Sequence, residues 1–173
     1  MSLSTRVIAA IGAVVVIGGV TVGVSVAHAS DKDKPTDQRA TLTVGRSSQE
    51  VAPLCSNGGQ PLDDQAQEAC QAKAQEALKA GTLPSSDVVA SDRIGVGVTP
   101  DVADKGWFAF TSGGPQGRFN LKSAGKDSTY SGSVPAGQAL QADGKTLVTV
   151  VESDPKSQTI YGVWYFQLNN KDA

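Results

Sequence analysis

From Ser86 to its end the chain runs as strand after strand, short apolar stretches cut by turn residues. Arg93 to Thr99 alternates Ile94, Val96 and Val98 with Gly95 and Gly97, and Thr159 to Leu168 alternates along its whole length. A period of two sends neighbouring side chains to opposite faces of a sheet, which an amphipathic helix cannot satisfy. Asp143-Gly144 and Asp154-Pro155 supply turn chemistry between such stretches. Glycine is plentiful at 19 residues, and helix-forming composition is confined to one stretch. About seven short strands within about 130 residues predict two antiparallel sheets packed face to face, an all-β, immunoglobulin-like antiparallel β-sandwich.

Particular strands carry particular expectations. Ala40 to Val44 puts Leu42 and Val44 on one face and reads as a first, edge strand. Asp87 to Ala90 and Thr129 to Val134 are short strands. Gly106 to Thr111, with Trp107, Phe108, Ala109 and Phe110, is strongly hydrophobic, and Thr146 to Val151 is a buried strand. Two glycines on one face of the Arg93 to Thr99 strand predict close approach by a neighbour, or a face left bare for a large aromatic. Ser112 to Gly125 is rich in Gly, Pro, Ser and Lys and reads as a mobile loop around Phe119 and Leu121. In the last strand Ile160, Gly162, Trp164, Phe166 and Leu168 fall on one side, and Tyr161, Val163 and Tyr165 on the other. Trp107 and Trp164 are the expected inter-sheet fillers.

One helix is expected, Gln65 to Ala80, built from Ala, Gln, Glu and Lys. Asp63 or Asp64 suits the N-cap, and Gly81 suits the C-terminal stop. Its apolar face (Ala66, Cys70, Ala74, Ala77 and Leu78) is thin, so the helix buries little and would hold poorly alone. Cys55 and Cys70 are the two cysteines of the chain. In an exported chain they read as one disulfide that pins the helix to the sheet, a bridge worth about 3 kcal/mol by loop entropy. A redox-active or metal-binding pair would want C-x-x-C spacing or a histidine partner, and neither is present.

The exported reading comes from the N-terminus. Met1 to Arg6 carries one positive charge, Val7 to Val26 is apolar, and Ala27-His28-Ala29 is a small-x-small cleavage site. Residues 1–29 are therefore a signal peptide or an uncleaved membrane anchor, and both put the remainder outside the membrane. Residues 30–39, charged and containing a proline, read as a flexible tether, and 40–173 as the folded domain. Cleavage removes His28, the single histidine, and Met1, the single methionine. Ser-His-Asp and Cys-His catalysis, and ordinary zinc, copper and haem sites, then lack their ligands. The mildly acidic balance, 17 acidic against 15 basic residues, has no basic block and argues against nucleic-acid binding.

Several of these stretches resemble a known family. Val96 to Trp107 (including Pro100, Ala103, Asp104 and Gly106), Cys55 and Cys70, Thr129-Tyr130, and Gly162 to Leu168 together resemble an actinobacterial family of exported envelope proteins, a domain of unknown function. The likeness spans roughly Ala40 to Leu168. It implies a membrane-associated or secreted immunoglobulin-like domain, many members being lipoproteins, and it brings no catalytic residues. This chain has no lipid-attachment cysteine after its apolar run.

The expectation is a non-catalytic binding or structural module without a cofactor or metal, meeting an envelope protein or cell-wall component, with membrane contact only through residues 1–29 if these are retained. Arg118 and Phe119 are the candidate partner contacts, Phe119 being otherwise tucked onto the edge of the sandwich. Tyr161 and Tyr165 could line a surface or belong to a second layer. The rival readings are a carboxylate-dependent hydrolase using Asp101 and Asp104, or an envelope-assembly accessory offering the Ala40 to Val44 edge. Against the hydrolase, Pro100-Asp101 and Asp104-Lys105-Gly106 suit a short helical turn whose acids cap backbone N–H groups.

Overall fold

The strands assemble into two sheets because the central ones carry one face of Val, Leu, Ile or aromatic residues that must leave water. The computed structural model describes residues 37–114, 116–142 and 144–173. The signal or anchor, residues 30–36 of the tether, and Asp143 lie outside the described residues. The first sheet has the order β2-β1-β5-β8, formed by β1 (Ala40–Val44), β2 (Ser47–Val51), β5 (Arg93–Val98) and β8 (Tyr130–Pro135). The second has the order β3-β10-β9-β6-β7, with β4 also paired to β10. Its strands are β3 (Cys55–Ser56), β4 (Ser85–Val88), β6 (Trp107–Thr111), β7 (Phe119–Gly125), β9 (Lys145–Ser153) and β10 (Ile160–Asn170). All pairings are antiparallel except β4 with β10.

The inner faces meet in one core. Leu42, Ile94 and Val96 of the first sheet join Trp107, Val148, Val150, Trp164, Phe166 and Leu168 of the second. Both tryptophans are wholly excluded from solvent, as expected of inter-sheet fillers. The indole N–H of Trp107 donates to the Ser128 carbonyl, whereas Trp164 Nε1 has no acceptor among the described residues. Of the two glycines of β5, Gly95 does what the alternation suggests, whereas a methyl group on Gly97 would meet only ordinary contacts. A methyl group on Gly95 would come 2.8 Å from the Gly132 carbonyl and press against the Tyr130 hydroxyl, so this position is kept bare for an aromatic from β8.

Helix α1 (Asp64–Ala80) is capped by Asp63, which accepts the Ala66 N–H at 2.7 Å, and stopped by Gly81 in the left-handed region at φ 67°. Only Cys70 and Ala74 of its face are buried. The disulfide Cys55–Cys70 forms, with Cα atoms 5.8 Å apart. Helix α2 (Pro100–Lys105) is the expected short turn with proline at its start, and Ala136–Gln138 forms one 3₁₀ turn.

Four expectations need correction. β1 is not an edge strand: β2, Ser47–Val51, lies outside it, and its exposed polar residues gave no alternating apolar signal. The segment read as a mobile loop contains β7, which pairs Phe119 with Thr111 and Asn120 with Phe110. Only Phe119 and Leu121 are large apolar residues there and the ladder slips at two points, which hides the period. Ile160 packs with Val163 and Tyr165, not with Trp164, because the register shifts between Ile160 and Gly162. The expected tether ran to Arg39, yet residues 37–39 are held to the domain. Gln38 is buried, the Arg39 N–H donates to Thr99 Oγ1 at 3.3 Å, and the Thr99 N–H donates back to the Arg39 carbonyl at 3.2 Å.

Candidate binding groove

Alternation along β6, β9 and β10 gives the second sheet an apolar outer face as well as an inner one. Phe108 and Phe110 point outward from β6, Thr149 and Val151 from β9, and Val163 and Tyr165 from β10. Helix α1 lies over the β10 side of this face. Leu62, just before it, donates its N–H to the Ile160 carbonyl at 2.8 Å, and Cys70 packs with Val151 and Val163. An alanine-faced helix is too slender to cover a sheet face of this width. Phe108, Phe110, Ile160 and Tyr165 stay half-buried, and between them and the helix runs a groove of about 260 Å³. Its helical wall is Gln67, Cys70 and Gln71.

Arg118 closes the far side. It precedes β7, and its guanidinium carbon sits 3.8 Å from the centre of the Phe110 ring, which itself stacks with Phe108 at 6.1 Å. Among the described residues it meets no carboxylate and donates no hydrogen bond. No carboxylate lines the groove. The Gln67 amide is engaged, donating to the Leu62 carbonyl at 2.9 Å. Burial raises the Tyr165 phenol above its ordinary range, so it stays neutral and serves only as a hydrogen-bonding group.

The two neighbours Arg118 and Phe119 therefore part company. Arg118 enters the groove, while Phe119 turns the other way and packs against the inter-sheet core. Asp101 and Asp104 sit together on α2 and are exposed. Asp101 accepts the Asp37 N–H at 3.2 Å, from a distant segment and not as the expected cap of its own turn, and α2 has no side-chain cap. Of the two tyrosines, Tyr165 lines the groove and Tyr161 lies beneath Lys105, whose ammonium is 4.6 Å from its ring centre.

Sequence reasoning passed over one group, Glu152. Its position at the end of an apolar strand, two residues beyond Val150, places it inward, and it is wholly buried. Oε2 accepts a 2.6 Å hydrogen bond from Gln38, and Oε1 lies 3.5 Å from the Lys105 ammonium without a directed hydrogen bond. Burial raises its carboxyl above the usual range, against the pull of Lys105 and Gln38; the nearby Asp101 charge adds to the rise. Lys105 also donates to the Gly59 carbonyl at 2.9 Å. Among the described residues no three His, Cys, Asp or Glu side chains gather as a metal centre requires. No helix among them is long and apolar enough to cross a membrane.

No protein-family model, curated protein or solved structure matches the chain.

Proposed function

We propose that this chain is an exported, non-catalytic binding module: an immunoglobulin-like β-sandwich that works outside the membrane and receives its ligand in the groove between α1 and the second sheet. The observation that carries this reading is the half-buried strip of Phe108 and Phe110 beneath an unpaired-by-carboxylate Arg118. An aromatic patch that its own helix leaves uncovered, beside one free charge, is the usual chemistry of a recognition site. The disulfide agrees with an oxidising, extracytoplasmic location. The resemblance of Val96 to Trp107 to exported actinobacterial envelope proteins favours the same compartment.

Catalysis is the weaker reading. Two acids converging in a cleft would support a hydrolase. Asp101 and Asp104 instead stand exposed on α2, and Glu152, a carboxyl raised by burial, is inside the sandwich and engaged by Gln38 and Lys105. The test places a photo-crosslinking side chain at Gln71, on the groove wall, or at Glu50, on the exposed β2 edge, in cells that make the protein. An adduct formed from position 71 and not from position 50 supports the groove. Adducts from position 50 alone, or turnover of a substrate by the purified chain, would overturn the reading.

A further inference from the structure

We propose that the occupant of this groove is an alkyl carboxylate, a single carbon chain lying along Phe108 and Phe110 with its acid group on Arg118. The inference rests on the binding-module reading and names the chemistry of its ligand.

Three observations select this class. The first is charge. Arg118 is the single charged residue lining the groove, and its guanidinium has no anionic partner among the described residues. A cation resting on an aromatic face keeps its N–H donors for an incoming anion, and a guanidinium fork matches a carboxylate in shape. No acid stands in the lining to oppose that anion.

The second is the poverty of hydrogen-bonding groups. The floor is made by Phe108, Phe110, Val151, Ile160 and Val163, with the Thr149 hydroxyl and the Tyr165 phenol as its polar groups. The backbone beneath is spent in ladders, since β6 is paired on both sides with β7 and β9, and β9 with β6 and β10. A peptide or a sugar laid there would carry amides or hydroxyls out of water with few partners, and each such group costs roughly 1–3 kcal/mol. A hydrocarbon chain brings none.

The third is size. About 260 Å³ is just below the usual range for ligand sites, room for one chain and not for a folded segment. An alkyl carboxylate thus satisfies the floor, the mouth and the volume together.

The test is calorimetric titration of the full chain with decanoate, decanol and decylammonium, kept below micelle formation. Decanoate is expected to bind more tightly than decanol, and decylammonium least. Arg118→Gln should weaken decanoate about tenfold, as loss of one charge-assisted hydrogen bond does, and leave decanol unchanged. Phe110→Ala should weaken both, and so should Gln71→Trp, an exposed helical position where a larger side chain reaches into the groove without touching the core. Were Phe110→Ala not to fold, Gln71→Trp and Arg118→Gln would still decide.

Equal affinity for the three probes, or an unchanged decanoate affinity in Arg118→Gln, would overturn the proposal. So would binding that survives both Phe110→Ala and Gln71→Trp, since the site would then lie elsewhere on the chain. Preference for a peptide with a C-terminal leucine, or for anionic vesicles over monomeric decanoate, would likewise replace the alkyl carboxylate. An adduct at position 71 with no decanoate binding sinks this inference alone and leaves the binding module standing. Failure of both removes the groove.

Discussion

The second sheet has two faces made by the same three strands, and they are finished differently. On the inner face Trp107, Val148, Val150, Trp164 and Phe166 are wholly buried against the first sheet. On the outer face their immediate neighbours Phe108, Phe110, Ile160 and Tyr165 are half-covered by a helix whose buried contribution is one cysteine and one alanine. The inner face is closed by apolar area, at about 25 cal/mol per Å² removed from water. The outer face is held by a covalent bridge and left open. One sheet is therefore closed on one side and left open on the other by the parity of its residues.

The sharpest way to break this contrast is at Trp164. Trp164→Ala should cost about 3–5 kcal/mol in urea unfolding, the range for deleting a large buried aromatic. A cost below that of any outer-face substitution would show that the inner face is not the stabilising one. Next in size is the bridge. Replacing Cys55 and Cys70 by Ser should cost about 3 kcal/mol at most by the entropy of a loop with 15 residues of separation. Hydrogen exchange should quicken in Asp64–Ala80 while the β1, β5 and β9 amides keep their protection. Quickening throughout would mean that the helix is part of the central structure.

Phe110→Ala should cost only about 1 kcal/mol, because its ring is already half in water. Glu152→Gln probes the inner face by titration. A carboxyl raised by burial keeps its proton longer in the folded than in the unfolded chain. Its contribution to stability is then whole below the unfolded value and is lost as pH rises through the folded one. Melting temperatures of parent and Glu152→Gln should coincide in acid and separate towards neutral pH, with the glutamine form the more stable. Parallel curves would show that Lys105 and Gln38 fully compensate the buried charge. Smallest is Arg118→Gln, expected within about 0.5 kcal/mol of the parent, as befits an exposed side chain with no ion-pair partner among the described residues.

Alternation made most of the β architecture legible. Trp107, Trp164, the bare position at Gly95 of β5 and the α1 termini all follow from period, capping and turn chemistry. β2 and β7 were hidden because edge strands need only one paired side and little apolar content, as Ser47–Val51 shows. The slipped register at Ile160 was hidden for another reason: one inserted residue reverses every side chain before it without changing composition. Of the groove, Arg118 and Tyr165 stood out as polar or amphipathic residues in unusual places. Phe108 and Phe110 read only as part of a hydrophobic strand. Whether an outward aromatic is covered depends on where the helix lies, and periodicity carries no information about that. Glu152 was visible in principle, since counting by twos from Val148 places it inward.

The position of β1 also governs how this domain would bear mechanical load. Because Ala40–Val44 is laddered to β2 on one flank and β5 on the other, tension applied from the N-terminal side meets two rows of backbone bonds at once. Ahead of that strand, the Asp37–Asp101, Arg39–Thr99 and Gln38–Glu152 contacts act as stitches that must part first. A pulling experiment on this end should record a small early rupture and then a single high-force event.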